Sequence, residues 1–545
     1  LPNVTIIKSL IYQLIDGNSF VYLLVFNRSV MPIRMSKDDD SNEGYSGRQS
    51  SGGGGGFGGG GGFPGGNLIG FLLPLFMRNP KLLIVVLIVG GGYFLYNKSC
   101  SSKHENKQEQ AYAKGATLDQ EVYDKNEVYA ALDNNEPMPE KVSLERFTPD
   151  AKDQGQQGSC VGWGSTYYAR TILESIKTGQ NPNTIAFSPA FTYNQIGLQD
   201  CQGTYITKAV DLLTNVGSVG YTTFPYNENS CDKQPNESQL QEAASFKMRG
   251  GNRLTLNGDD YTVDVNAIRQ NLANNAPVVI GMMVGGTFMQ DMEGKDVWLP
   301  SERDYNKRNF GGHCMCIIGY DDHFFENDGA FLIQNSWGQR WGKNGKAWIS
   351  YKDFVYFTNE AYGLNALPNQ QNQNKLACDL ALIEKDTKLE IPLINTKPNV
   401  FETQANLKVG DKFKIRFANN VECFVYVFGK ETDNTVYTLF PYTPKHSAYC
   451  GITGARVFPR DYSMEVDKIG NRDYIGVVIS KKKLDYKTIA TELSQNKTID
   501  FSEKFKRYFS EETLSDVNYK NPNRISFVAT TGEKTVLPIL IEIKK

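Results

Sequence analysis

Cys160 stands where the polar turn Gln154-Gly155-Gln156-Gln157-Gly158-Ser159 gives way to a segment, Thr166 to Gly179, whose Tyr168, Ile172, Leu173 and Ile176 are spaced as one helix face. A thiol in the first turn of a helix lies among unpaired N–H groups at the positive end of the helix dipole, and both favour the thiolate. Cys160 is therefore a candidate nucleophile. It needs a base, and the histidines of the chain are His104, His313, His323 and His446. His313 sits where the glycine turn Phe310-Gly311-Gly312 runs into an apolar stretch, Cys314 to Ile318. A second apolar run, Ala330 to Ile333, leads through Gln334 to Asn335-Ser336-Trp337-Gly338, with Trp341-Gly342 behind it.

Gln154 ahead of Cys160, a Gly-His entering a strand, and Asn-Ser-Trp-Gly followed by Trp-Gly together resemble the papain-like cysteine peptidases. The order Gln, Cys, His, Asn is that family's order, and His313 follows Cys160 by roughly 150 residues, at the upper end of the usual spacing. The resemblance implies catalytic roles for Cys160, His313, Asn335 and Gln154. Cys160 would attack the scissile carbonyl, and His313 would hold the thiolate as an ion pair and later protonate the departing amine. Asn335 would orient the imidazole. Gln154, with the backbone N–H of Cys160, would donate to the developing oxyanion. Trp337 would shield the bond between His313 and Asn335 from water.

The resemblance spans about residues 137–368. Met138-Pro139-Glu140-Lys141-Val142 is similar to the start of mature family domains, Phe187-Ser188-Pro189-Ala190-Phe191 and Val219 to Tyr226 fit further family segments, and Asp200-Cys201-Gln202-Gly203-Thr204 falls where the family's backbone pairs with bound peptide. Gly203, Gly312 and Trp337 are accordingly the expected substrate-binding residues. Gln157 replaces the cysteine the family carries before its nucleophile, so the family's disulfide from that position cannot form. Cys201 and Cys231 are left as possible partners for each other. Cys314 and Cys316 form a Cys-x-Cys pair with no second ligand pair at suitable spacing, so no metal and no cofactor is expected. Taken singly, each residue reads as structure: a core cysteine, a satisfied histidine, a turn asparagine. Their joint order favours chemistry.

A formal charge of −2 and the lack of a phosphate-cradling lysine loop give no case for nucleic acid. Nine cysteines in 545 residues are too few for a disulfide scaffold. Residues 1–66 are a Gly-rich N-terminal region expected to be disordered, of which 1–34 would be untranslated if synthesis starts at Met35. Residues 67–96 are expected to be a membrane anchor, with a helix from about Pro80 to Tyr96. Residues 97–136 read as a polar linker, helical over Asp119 to Leu132, short for an inhibitory prosegment and suited to a tether. After the peptidase region at 137–368 and a linker at 369–376, residues 377–545 alternate as short strands and resemble a bacterial β-rich accessory module.

The expected fold class is thus α+β: a papain-like two-subdomain cysteine peptidase, followed by an all-β sandwich-like domain and preceded by one transmembrane helix. The expected function is peptide-bond hydrolysis through an acyl-enzyme, on a peptide or protein substrate. The membrane would be crossed in a single pass, with the catalytic domain on the extracytoplasmic side, and the accessory domain's partner is unknown. Two alternatives remain open: a non-catalytic peptide-binding or scaffolding protein on the same fold, and a cell-wall peptide transpeptidase or amidase.

Overall fold

The computed structural model describes residues 33–38, 112–133, 136–367, 374–460, 462–495, 497–521 and 523–545. The expected membrane anchor at 67–96 and the glycine tract lie outside the described residues. Among the described residues no helix is long and apolar enough to cross a membrane.

The expected helix after Cys160 forms and is longer than its apolar face suggests. Cys160–Gly162, Trp163–Arg170 and Thr171–Thr178 run on as one helix whose middle piece is π-helical, and Gly179 ends it in the left-handed conformation at φ 71°. Every side chain from Trp163 to Arg170 is buried. Arg170 is tolerated there because Glu174 meets it at 2.7 Å and the Phe246 carbonyl accepts from its Nε at 2.9 Å.

This helix packs on an antiparallel sheet ordered Gly251–Arg253, Thr358–Leu364, Val278–Val284, Gly311–Phe325, Asp328–Gln334 and Lys346–Ser350, with Lys141–Ser143 paired to the 311–325 strand. Val278–Val284 is almost wholly buried, which explains its unbroken apolar run. Trp163, Tyr168 and Ile172 from the helix share one core with Ile280, Ile317 and Ile333 from the strands. Cys160 and His313 thus belong to facing elements.

The C-terminal part consists of two sheets whose inner faces meet through Leu380, Ile415, Phe417, Val425, Val477 and Ile541. It is not all-β. Helices Tyr486–Ser494 and Phe501–Tyr508 lie on the outer face of one sheet, where Ile489, Leu493, Phe501 and Phe505 cover Tyr426, Phe428 and Val478. Phe501 and Phe505 fall one helical turn apart, so they share a face.

Two segments, one read as part of a disordered region and one as a partly helical linker, belong to this fold. Ile33–Lys37 pairs antiparallel with Tyr462–Val466 as an edge strand, and the neighbouring Asp38 receives Lys414 at 2.5 Å and Ser463 at 2.7 Å. Residues 112–133 are equally built in. Only Gln120–Tyr123 is helical there, capped by Asp119, because beyond it the backbone hydrogen-bonds to neighbouring chain instead of to itself.

Candidate active site

Cys160 is the first residue of its helix and is fully buried. The N–H of Cys314 points at its sulfur from 3.4 Å, and this contact sets the facing strand, with His313 next to Cys314, against the helix start. His313 Nε2 and Asn335 Oδ1 are 2.7 Å apart, and Oδ1 also accepts from the Ser336 N–H at 2.7 Å, which fixes the amide. The other ring nitrogen, Nδ1, is buried without a hydrogen-bond partner. Trp337 lies on the imidazole with centroids 4.3 Å apart and planes at 24°, placing an indole where a water shield is needed.

Gln154 is fully buried and hydrogen-bonded at each of its main-chain and side-chain polar groups. Its Oε1 accepts from Ser336 Oγ at 2.7 Å, its Nε2 donates to the Gln157 carbonyl at 2.9 Å, and its own carbonyl accepts from Tyr226 at 2.7 Å. The second Nε2 proton reaches the carbonyl of Ala113 at 3.3 Å. Cys201 and Cys231 form a disulfide, and the Gly158 N–H donates to the Cys201 carbonyl at 3.0 Å, tying the turn before Cys160 to the disulfide.

The cleft is filled by the chain itself. Tyr112 stacks on Trp337, and Trp337 Nε1 donates to the Ala113 carbonyl at 2.9 Å. Gly115 and Ala116 both donate to the Gly312 carbonyl, at 3.2 and 3.1 Å. On the opposite wall the Thr204 N–H donates to the Gly115 carbonyl and the Thr117 N–H to the Thr204 carbonyl, each at 2.9 Å, a parallel bridge centred on Ala116. Leu118 then packs over Gly281, beside Glu360 and Ile206. The approach is close: a Cβ on Gly312 would lie 2.1 Å from the Ala116 carbonyl oxygen, and one on Gly115 would lie 2.1 Å from the Gly158 oxygen. Residues 112–118 are therefore a strap, and the reading of 97–136 as a mere tether is corrected. Sequence reasoning missed it because the strap is held largely through main-chain groups, which leave no side-chain pattern. On the wall where Gly203 is expected to bind substrate, the strap pairs through Thr204 and passes directly over Gly203, where a Cβ would lie 2.5 Å from the Gly115 carbonyl oxygen.

Burial shifts both ionisable groups of the site. Burial pushes the Cys160 thiol up to about 12, against the pull of N–H groups from Cys314, Val161, Cys160 and Ala116. Burial also brings the His313 imidazole down to about 4, with the charge of Lys114 acting the same way and the Asn335 hydrogen bond opposing it. Burial thus favours the neutral form of both groups, against the ion pair expected between them. The strap offers the sulfur an N–H of Ala116, while the carbonyl held by Gln154 belongs to Ala113. Among the described residues no group of His, Cys, Asp or Glu could hold a metal ion.

The model of the papain family of cysteine proteases matches residues 139–363, and a domain of unknown function matches residues 406–483. An uncharacterized peptidase C1-like protein of Acanthamoeba polyphaga mimivirus is 28% identical over 207 residues, 37% of this chain and 64% of the viral protein, under two thirds of its length. Cathepsin B-like CP2 of Giardia intestinalis is 25% identical over 246 residues, 43% of this chain and 72% of that protein. Among solved structures, xylellain, a cysteine protease from Xylella fastidiosa, aligns at 21% identity over 49% of this chain and 100% of its own, with a TM-score of 0.37. Residues 139–363 are a papain-family cysteine protease domain.

Proposed function

We propose that this protein is a cysteine endopeptidase that cleaves peptide bonds through Cys160, His313 and Asn335, and that the strap holds it latent. The observation that carries the reading is the Asn335–His313 bond under Trp337, on a strand whose Cys314 N–H meets the Cys160 sulfur at the start of a helix.

With the strap displaced, water and substrate reach the site and the desolvation that neutralises both groups is relieved. His313 takes the thiol proton, and the N–H groups around the sulfur favour the thiolate. The sulfur attacks the scissile carbonyl and the C–N bond breaks as His313 protonates the departing amine, leaving a thioester. Water, deprotonated by His313, resolves it. Gln154 Nε2, freed from the Ala113 carbonyl, donates to the oxyanion, a contact of about 3 kcal/mol in comparable sites. The neutral Asn335 orients the ring without competing for its proton.

A peptide epoxide tests the reading: it should label Cys160 in a Gly115→Val variant, whose added methyls cannot fit against Gly158, and labelling should vanish in Gly115→Val/Cys160→Ala. Label that persists on another residue would move the nucleophile elsewhere. The non-catalytic alternative predicts no labelling of either protein. A transpeptidase would label Cys160 as well, and an added amine acceptor would then appear in its products.

Membrane anchorage through 67–96 is part of the proposal, with one constraint. The pairing of Ile33–Lys37 with Tyr462–Val466 joins chain from both sides of that segment into one folded unit. A segment that crossed the bilayer once would separate them, so we propose that 67–96 attaches to the membrane without a single crossing.

A further inference from the structure

We propose that the C-terminal β domain is the clasp that keeps the strap in the cleft, and that loosening this domain's grip on residues 124–133 switches the peptidase on. The proposal rests on the reading of the cleft given above and gives the domain of unknown function a role in it.

The grip is built around Val128. On one side, the Arg253 N–H donates to the Glu127 carbonyl at 3.1 Å and the Tyr129 N–H to the Arg253 carbonyl at 3.0 Å, which ties the segment to the peptidase sheet. On the other side, the Val128 N–H donates to the Lys445 carbonyl at 2.6 Å and the Ser447 N–H to the Val128 carbonyl at 2.9 Å, which ties the same residue to the β domain. Val128 is thus the middle of a short three-chain ladder. Side chains divide accordingly: Tyr129 and Leu132 enter the peptidase core, and Ala130 enters the core of the β domain.

Polar groups close the clasp. The buried Arg456 of the β domain donates to the Ala130 carbonyl at 2.8 Å, and the Asp133 N–H donates to the Ala455 carbonyl at 2.8 Å. Asp124 is shared between the peptidase and the β domain, meeting Arg253 and Lys445 each at 3.1 Å. Lys483 meets Glu127 at 2.8 Å. The peptidase alone cannot supply half of these partners.

The consequence for the cleft is one of effective concentration. Leu118 is separated by roughly six residues from Asp124, and Tyr123 and Asp124 are held on the peptidase by Ala361, Arg253 and Tyr261 as well as on the β domain by Lys445. Opening the clasp removes part of this anchor, and the local concentration of the strap falls in the fraction of molecules in which the rest of it lets go. The strap's own hydrogen bonds are then too few to keep it seated at the same occupancy. A ligand that competes for the Lys445–Ser447 edge or for Arg456 would act as an activator, and such a ligand would be an extended peptide with acidic side chains to match Lys445 and Lys483.

The test measures the rate at which a peptide epoxide labels Cys160 in the full-length protein. Lys445→Glu and Lys483→Glu change side chains that are partly or largely exposed and leave the cores intact. Together they remove the surface ion pairs of the clasp but not the Val128 ladder, and should raise the labelling rate about two- to fivefold over the parent. Exchanging the partners, Glu127→Lys with Lys483→Glu, should label more slowly than Lys483→Glu alone. Gly115→Val is the reference with the strap expelled. If it is labelled rapidly while Lys445→Glu/Lys483→Glu labels at the parent's rate, the clasp is overturned and the peptidase reading stands. If Gly115→Val is not labelled, the peptidase reading itself fails and the clasp with it.

Discussion

Tyr112 lies flat on Trp337, with ring centroids 4.6 Å apart and planes 10° from parallel. Trp337 in turn lies on His313, so the strap is stacked through one indole onto the candidate base.

Removing the first ring should loosen the strap. A stacked aromatic pair contributes about 0.5–1.5 kcal/mol beyond its area, so Tyr112→Ala should raise the fraction of open protein roughly two- to tenfold. Initial rates on a small fluorogenic peptide read that fraction directly. A rate equal to the parent's would show that the stack does not hold the strap.

The closed and open states should differ in their response to pH. In the closed protein the thiol is held at about 12 and the imidazole at about 4, so between these values both are neutral. Alkylation of the parent should therefore be slow and flat from about pH 5 to 9, and should rise only as the medium becomes strongly alkaline and removes the thiol proton. Gly115→Val should instead give a bell for turnover, rising as the thiolate forms and falling as His313 loses its proton. A flat profile for both proteins would argue against an ion pair in either.

Two substitutions separate orientation from oxyanion binding. Asn335→Ala in the Gly115→Val background should lower turnover while Cys160 stays alkylatable, because the imidazole loses its tether at 2.7 Å. Gln154→Ala in that background should lower kcat by about 10²- to 10³-fold with little change in the alkylation profile. Loss of alkylation in the Gln154 variant would mean that its bonds to Ser336 and Gln157 shape the whole site.

The disulfide between Cys201 and Cys231 closes a loop of sequence separation 30, which chain-entropy reasoning values at about 3–4 kcal/mol. Cys201→Ala/Cys231→Ala should lower the denaturant midpoint of the full-length protein. An unchanged midpoint would show that the wall is held by its packing alone.

The pairing of Ile33–Lys37 with Tyr462–Val466 also predicts sidedness. Tags placed ahead of residue 33 and after Lys545 should be cleaved from, or protected on, the same face of a sealed vesicle. Opposite exposure would rule out the pairing within one chain.

The site was legible in sequence where side chains carry the chemistry. Cys160 at a helix start and His313 entering a strand could be placed from residue type and periodicity, and Asn335 from the family resemblance. Gln154 followed from family order. What escaped notice was made of main chain: Gly115, Ala116 and Thr117 bind through N–H and carbonyl groups that any residue has, and Val128 pairs on both sides without a distinctive side chain. The same holds for Ile33–Lys37, an edge strand recruited by a sheet about 400 residues away. Long-range backbone pairing of this kind leaves no local signature. Helices 486–494 and 501–508 are different, since the face of Phe501 and Phe505 was readable and was obscured only by the strand-rich sequence around it.

The central claim, a Cys160 peptidase silenced by its own strap, is tested most directly by turnover of a protein substrate by three full-length proteins: the parent, Gly115→Val and Gly115→Val/Cys160→Ala. The account predicts slow cleavage by the parent, fast cleavage by Gly115→Val and none by the double variant. Equal cleavage by the parent and Gly115→Val would contradict the strap, and equal cleavage by Gly115→Val and the double variant would contradict Cys160 as the nucleophile.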